Sequence, residues 1–256
     1  MVDFFRRVYN EGSGGYDMRG VLLAGGTGSR LYPLTATINK HCIPVGDKPM
    51  LYHPIERMIE AGIGDILITT GIDHAGQIFQ LLGSGSRFGV RFTYRIQDEA
   101  GGIAQALMLA EDFCEKDTMM VMLGDNIFGE SLKHFKEVFE TSDADAGVVL
   151  KKVPDPERFG VATVEDGKVV LIEEKPENPQ SNYAVTGCYL YTPDVFDVIR
   201  NLKPSARGEY EISDVNMHYV KVGRVLAHTL VSYWSDAGTF ESLRRASQLV
   251  SGEKDD

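Results

Sequence analysis

A loop with three glycines, Gly25-Gly26-Thr27-Gly28-Ser29-Arg30, follows the apolar run Val21-Leu22-Leu23 and ends in an arginine. The run has the length and composition of a buried strand. Glycines reach backbone conformations with φ > 0 and let a ligand come close to the main chain. Free backbone N–H groups there bind phosphate oxygens, and Arg30 adds a forked cation. The chemistry is anion binding at the carboxyl end of a strand. Two common phosphate motifs fail. A dinucleotide fingerprint starting at Gly26 needs a third glycine where Leu31 stands, and a Walker loop needs Gly-Lys-Ser/Thr. Taken alone, the loop also reads as a structural turn.

Asp125, in Leu123-Gly124-Asp125-Asn126, is a carboxylate just past a second apolar run. That placement suits a divalent metal such as Mg²⁺, which takes few protein carboxylates and fills the rest with water and phosphate oxygens. A helix cap is the alternative. Gln97, in Gln97-Asp98-Glu99-Ala100-Gly101-Gly102, carries an amide with both donor and acceptor, the pattern that matches the imide edge of thymine or uracil. Gly102 would let the backbone approach that base, although Gly101-Gly102 also reads as a helix start. On residue type alone, Lys40 reads as a surface lysine and Asp236 equally as a turn residue.

These groups need a scaffold, and hydrophobic patterning supplies one. Strands are expected at 21–23, 65–70, 91–97 and 119–123, with helices from Pro49 to Gly62, from His74 to Leu82 and from Ile103 to Phe113. Alternating strand and helix argues for a mainly parallel sheet covered on both faces. Leu23, Gln97 and Leu123 would then end their strands at one crevice. From about residue 145 the pattern changes: strands at 146–153 and 183–191, a hairpin 160–174 around Asp166-Gly167, helices 193–200 and 211–220, a strand 224–231 and a helix 239–250. Residues 1–17, with Glu11-Gly12-Ser13-Gly14-Gly15, read as a flexible extension, 18–144 and 145–250 as two halves of one domain, and 251–256 as a frayed tail.

Among 256 residues, 25% are charged and 43% hydrophobic, as in an ordinary globular protein. The net charge of −11 argues against a nucleic-acid backbone as partner. Three scattered cysteines, Cys42, Cys114 and Cys188, suit free thiols in a reducing compartment, here the cytoplasm. No apolar run is long enough to span a membrane, and the first residues lack the apolar core of a signal peptide.

The loop resembles the signature Leu-Ala-Gly-Gly-x-Gly-(Ser/Thr)-Arg-Leu-x-Pro of the sugar-1-phosphate nucleotidylyltransferases, and the likeness runs from Met18 to Val250. Leu-Gly-Asp at 123–125, Trp-x-Asp-x-Gly-Thr at 234–239 and Lys203-Pro204-Ser205-Ala206-Arg207-Gly208-Glu209 match as well. The resemblance implies a Rossmann-like three-layer α/β/α fold with a mixed, mainly parallel sheet and a sugar-binding lobe. It implies nucleotide contacts from Leu23, Gly25, Gly26, Thr27, Gly28, Ser29, Arg30, Gln97, Gly102 and Asp125. Arg30, Lys40, Asp125 and Lys175 would be catalytic, and Asp125 with Asp236 would hold Mg²⁺. Gly160, Glu174, Lys175, Val185 and Gly187 would contact the sugar phosphate. Arg207 and Glu209 would support the sugar lobe.

The reaction so implied joins dTTP and glucose 1-phosphate into dTDP-glucose and pyrophosphate by direct displacement, in a homo-oligomer. UTP in place of dTTP, or use of both, is the near alternative, and a nucleotide-sugar-binding protein without turnover the remote one. The chain departs from the family at His41-Cys42-Ile43, where glutamine and leucines are common, and at Ala100, where proline is. It also ends soon after the helix following Asp236, so the extra carboxyl-terminal helices of longer members are expected to be missing.

Overall fold

The structure, a computed structural model, describes residues 18–252, so the expected extension 1–17 and positions 253–256 of the tail lie outside it. Strands are numbered in chain order. The first seven are β1 Met18–Ala24, β2 Pro44–Val45, β3 Lys48–Pro49, β4 Asp65–Gly71, β5 Arg91–Gln97, β6 Thr118–Leu123 and β7 Asn126–Phe128. The others are β8 Ala146–Lys152, β9 Gly160–Glu165, β10 Lys168–Glu174, β11 Tyr183–Tyr191, β12 Val225–Thr229 and β13 Trp234–Asp236. Nine of them build one sheet, in which β6, β1, β4 and β5 are parallel neighbours.

Period-two burial explains the three layers. Leu22, Met120 and Met122 point to one face, where they meet Ile55 and Met58 of helix Tyr52–Glu60 and Ile78 of helix Ala75–Leu82. Val21, Leu23, Met119 and Val121 point to the other. There they meet Ala104 and Leu107 of helix Ile103–Met108, Phe196 of helix Val195–Arg200 and Val215 of helix Ile212–Lys221. A strand buried on both faces carries apolar residues at every position, which is why these runs are continuous rather than alternating. The expected Rossmann-like α/β/α architecture is the one observed.

β11 joins the two halves of the sheet. It runs antiparallel to β6 through Cys188–Tyr191 and antiparallel to β9 through Tyr183–Val185, with β8 along its other edge. The β8 ladder shifts register between Val185 and Tyr189. Such an irregularity re-aims the strand, and here it frees the Gly187 N–H to donate to Asn126 Oδ1 at 2.8 Å.

Local readings are corrected at four places. Pro49 does not open a helix: it lies in β3, paired with β2 around Gly46 at φ 64°, and the helix begins at Tyr52. The expected helix 103–113 is two short ones, Ile103–Met108 and Glu111–Cys114. Helix Lys133–Glu140, which buries Phe135 and Phe139, fills a stretch for which no element was expected. The antiparallel ribbon of β7 and β13 was not anticipated either. Thr239 caps the last helix, Phe240–Ser251, in a reciprocal box with Ser242.

Candidate active site

The carboxyl ends of β1, β5 and β6 open into a cleft made of two adjoining cavities. The larger, about 350 Å³, is lined by Leu23, Gly25, Gly26, Gln97, Gly102 and Lys40. The smaller, about 170 Å³, is lined by Gly160, Val185, Gly187, Arg158, Asn126 and Asp236. Arg30, Asp125, Glu174 and Lys175 border both. One cleft therefore collects most of the expected residues, with the charged groups at its waist. Thr27, Gly28 and Ser29 are outside the lining.

Gly28 serves the loop instead. At φ 65° its carbonyl accepts Thr35 Oγ1 at 2.9 Å, and an added Cβ would lie 2.8 Å from Thr35 Cγ2 and 3.2 Å from Lys40 Cβ. Only glycine lets the glycine-rich loop pack this closely on the segment that carries Lys40. Gly102, at φ 102°, is likewise required by protein packing: a Cβ would meet the Tyr210 carbonyl at 2.6 Å.

At the waist, Lys40 Nζ lies 2.8 Å from Asp125 Oδ2, with both side chains largely shielded. Burial pushes the Asp125 carboxyl up, but Lys40, His41 and a hydrogen bond from Asn126 outweigh it and hold the group well below the usual carboxylate range. Asp236 goes the other way. Burial and the nearby Asp125 charge raise its carboxyl above the usual range, against the pull of Arg158 and Arg30. His41 is buried, and burial together with Lys40 lowers it to about 3, so the imidazole is neutral. The Asn39 Oδ1 that accepts from the His41 backbone N–H also lies 3.0 Å from His41 Nδ1, so that nitrogen carries the proton.

The ribbon of β7 and β13 brings the two aspartates together. Asn126 is the register partner of Asp236, and the Ala237 N–H donates to the Asp125 carbonyl at 2.8 Å. Asp236 Oδ1 is buried without a hydrogen-bond partner, and Arg158 stands off at 3.6 Å. An orphaned carboxylate oxygen on a residue close enough to Asp125 to feel its charge fits a divalent cation. Among the described residues no group of three or more His, Cys, Asp or Glu side chains is placed to hold a metal. Two carboxylates with open positions are the donor set Mg²⁺ accepts when phosphates complete it.

At the smaller cavity, Glu174 is held by its neighbours. Ser213 Oγ donates to Oε2 at 2.6 Å, while Arg207 and Lys175 approach Oε1 at 3.2 and 3.3 Å. Lys175 takes φ 45°, uncommon for a residue with a side chain, and its N–H donates to the Phe159 carbonyl at 3.0 Å. A Cβ on Gly160 would lie 2.9 Å from Ser213 Oγ, and one on Gly187 2.7 Å from the Asn126 amide.

Several residues had no expected role. Asn126, Arg158 and Ser213 border the smaller cavity, and Gln105, on helix Ile103–Met108, accepts from Gln97. Position beside Asp125 was a signal for Asn126. Nothing in the sequence singled out Arg158 from the other arginines.

Residues 19–253 match the family model described as nucleotidyl transferase, and the chain belongs to that family. The glucose-1-phosphate thymidylyltransferase of Mycolicibacterium smegmatis is 44% identical over 241 residues, covering 91% of this chain and 82% of that protein. A Bacillus anthracis structure in complex with sucrose, described as a glucose-1-phosphate thymidylyltransferase, superposes with a TM-score of 0.88 at 51% identity, covering 93% of this chain and 96% of the other. A UDP-glucose pyrophosphorylase complexed with UDP-glucose superposes at 0.80 with 26% identity, covering 93% and 99%.

Proposed function

We propose that this enzyme transfers a thymidylyl group from dTTP to glucose 1-phosphate, releasing pyrophosphate and giving dTDP-glucose. The carrying observation is the nearness of Asp125, which borders both cavities, to Asp236 in the smaller one, with Arg30 and Lys175 bordering both, Arg158 in the smaller and Lys40 in the larger. The 44% identity to a thymidylyltransferase supports the choice of substrates.

Sugar phosphate is already ionised at neutral pH, so the attack on the α-phosphorus needs no strong general base. The residues have to align two anions and offset their charge. Arg30 and Lys40 take the nucleotide phosphates, and Lys175 takes the sugar phosphate. Glu174, fixed by Ser213, accepts from sugar hydroxyls. Gln97 reads the base. Asp125 and Asp236 would hold Mg²⁺, which supplies Lewis-acid polarisation and neutralises charge on the phosphates.

UTP is the second reading, favoured by the superposition on a UDP-glucose pyrophosphorylase. Uracil lacks only the methyl group of thymine, a difference worth about 1–3 kcal/mol in an apolar pocket. The test is pyrophosphate release with Mg²⁺ and glucose 1-phosphate across dTTP, UTP, dCTP, ATP and GTP, with the nucleotide sugar identified. Highest kcat/KM with dTTP is expected, and a UTP preference would replace the donor while keeping the site. No turnover with any of them or with other hexose 1-phosphates would overturn the enzyme assignment.

A further inference from the structure

Gln97 recognises a base only if its amide points one way round, and the oxygen and nitrogen of an amide are set apart by their neighbours. The chain of contacts begins at a group with a single possible role. The backbone N–H of Gly101 is a donor, and it lies 2.8 Å from Gln105 Oε1. The Gln105 amide is therefore held with its oxygen toward Gly101. That same oxygen accepts from Gln97 Nε2 at 3.0 Å. With its nitrogen drawn to Gln105, the Gln97 amide turns its oxygen to Gly25, where an added Cβ would lie only 2.7 Å from Oε1. Glycine at 25 makes room for the carbonyl end, and Gln105 takes the amino end.

The orientation carries chemical information. The Watson–Crick edge of thymine or uracil offers an acceptor at O4 and a donor at N3, whereas cytosine offers a donor at N4 and an acceptor at N3. An amide free to rotate by 180° suits either order. One locked at the nitrogen end suits a single order. We infer that Gln105 is a specificity-determining positioning residue, which excludes cytosine nucleotides by fixing the Gln97 amide. Gln105 itself lies outside the lining of both cavities. The inference rests on the proposed reading that Gln97 faces the base.

The experiment measures kcat/KM for dTTP and dCTP, so that the sugar of the nucleotide is constant. It uses wild type, Gln105→Leu, Gln105→Ala and Gln105→Glu. A carboxylate at 105 still accepts from both Gly101 and Gln97, whereas leucine and alanine cannot. Gln105→Leu and Gln105→Ala are expected to narrow the dTTP-to-dCTP ratio by about tenfold or more, the scale of one directed hydrogen bond. Gln105→Glu should keep the ratio near wild type. A folded leucine or alanine variant with an unchanged ratio would overturn the inference. So would a glutamate variant that loses selectivity as far as the leucine variant. A general packing defect would lower both nucleotides together and leave the ratio alone. Wild type that does not use pyrimidine nucleotides would sink the underlying reading instead.

Discussion

Trp234 Nε1 donates to Asn126 Oδ1 at 2.8 Å across 108 residues of sequence. The same oxygen accepts the Gly187 N–H, and Asn126 Nδ2 donates to Asp125 Oδ1 at 3.0 Å. One buried amide thus ties the ribbon of β7 and β13, the irregular turn of β11 and the Asp125 carboxylate. Asn126→Ala leaves two buried donors without an acceptor, which costs about 2–4 kcal/mol. Urea unfolding should show that loss, and turnover should fall further than the folded fraction does. A variant of wild-type stability and activity would show that the ribbon holds without it.

Asp236 is expected to oppose stability while serving function. Its carboxylate is buried close to that of Asp125, and one of its oxygens lacks a hydrogen-bond partner. In EDTA, Asp236→Asn should therefore raise Tm by about 2–4 °C, the shift of roughly 1 kcal/mol in a domain of this size. Mg²⁺ should stabilise wild type and leave the variant unmoved, while turnover drops about 100-fold or more. A variant destabilised in EDTA would mean that the Arg158 contact outweighs the repulsion.

Histidine burial sets a pH dependence of stability. His53 Nε2 donates to the Val45 carbonyl at 3.0 Å, and burial lowers its pKa from the ordinary value, against the pull of that hydrogen bond. The unfolded chain then binds the proton at a higher pH than the folded one does. Stability is full above the ordinary histidine value and is lost as pH falls below it. Burial of His41 acts in the same direction. Urea titrations from pH 7.5 to 5 should show a decline, and His53→Gln should remove part of it. An unchanged slope in that variant would remove His53 from the explanation.

Long periodic elements and the glycine-rich loop were legible in the sequence. Strand β5 occupies the expected residues, and the hairpin of β9 and β10 turns at Asp166-Gly167 as read. The ribbon that pairs Asn126 with Asp236, and so brings Asp125 near it, was not legible, because strands of three residues show no period and the two strands are distant in sequence. Helix Lys133–Glu140 did carry a signal in Phe135 and Phe139, four apart, but its other positions are mostly polar. Gly28 and Gly102 were read for ligand approach, yet both are required by neighbouring protein atoms. Sequence shows that a position must be glycine without showing what comes close to it. The amide lock on Gln97 depends on contacts among Gln97, Gly101 and Gln105, which spacing along the chain does not report.

The segment that carries Lys40 is clamped by a residue outside the cleft lining. Gln77, on helix Ala75–Leu82, accepts the Asn39 N–H at 2.6 Å and donates to the Thr37 carbonyl at 2.9 Å. Asn39 in turn caps the short turn Lys40–Cys42 through the His41 N–H. Gln77→Ala removes both clamps on a half-exposed side chain, so stability should change by about 1 kcal/mol or less. Lys40, to which the proposed function gives the nucleotide phosphates, is freed to wander, and kcat/KM should fall about tenfold or more. The decisive measurement is a double-mutant cycle with Lys40→Met. If Gln77 acts by holding Lys40, adding Gln77→Ala to Lys40→Met costs no further turnover. Additive losses would place its effect elsewhere in the loop, with the contact of Gly28 on Thr35 as the first place to look.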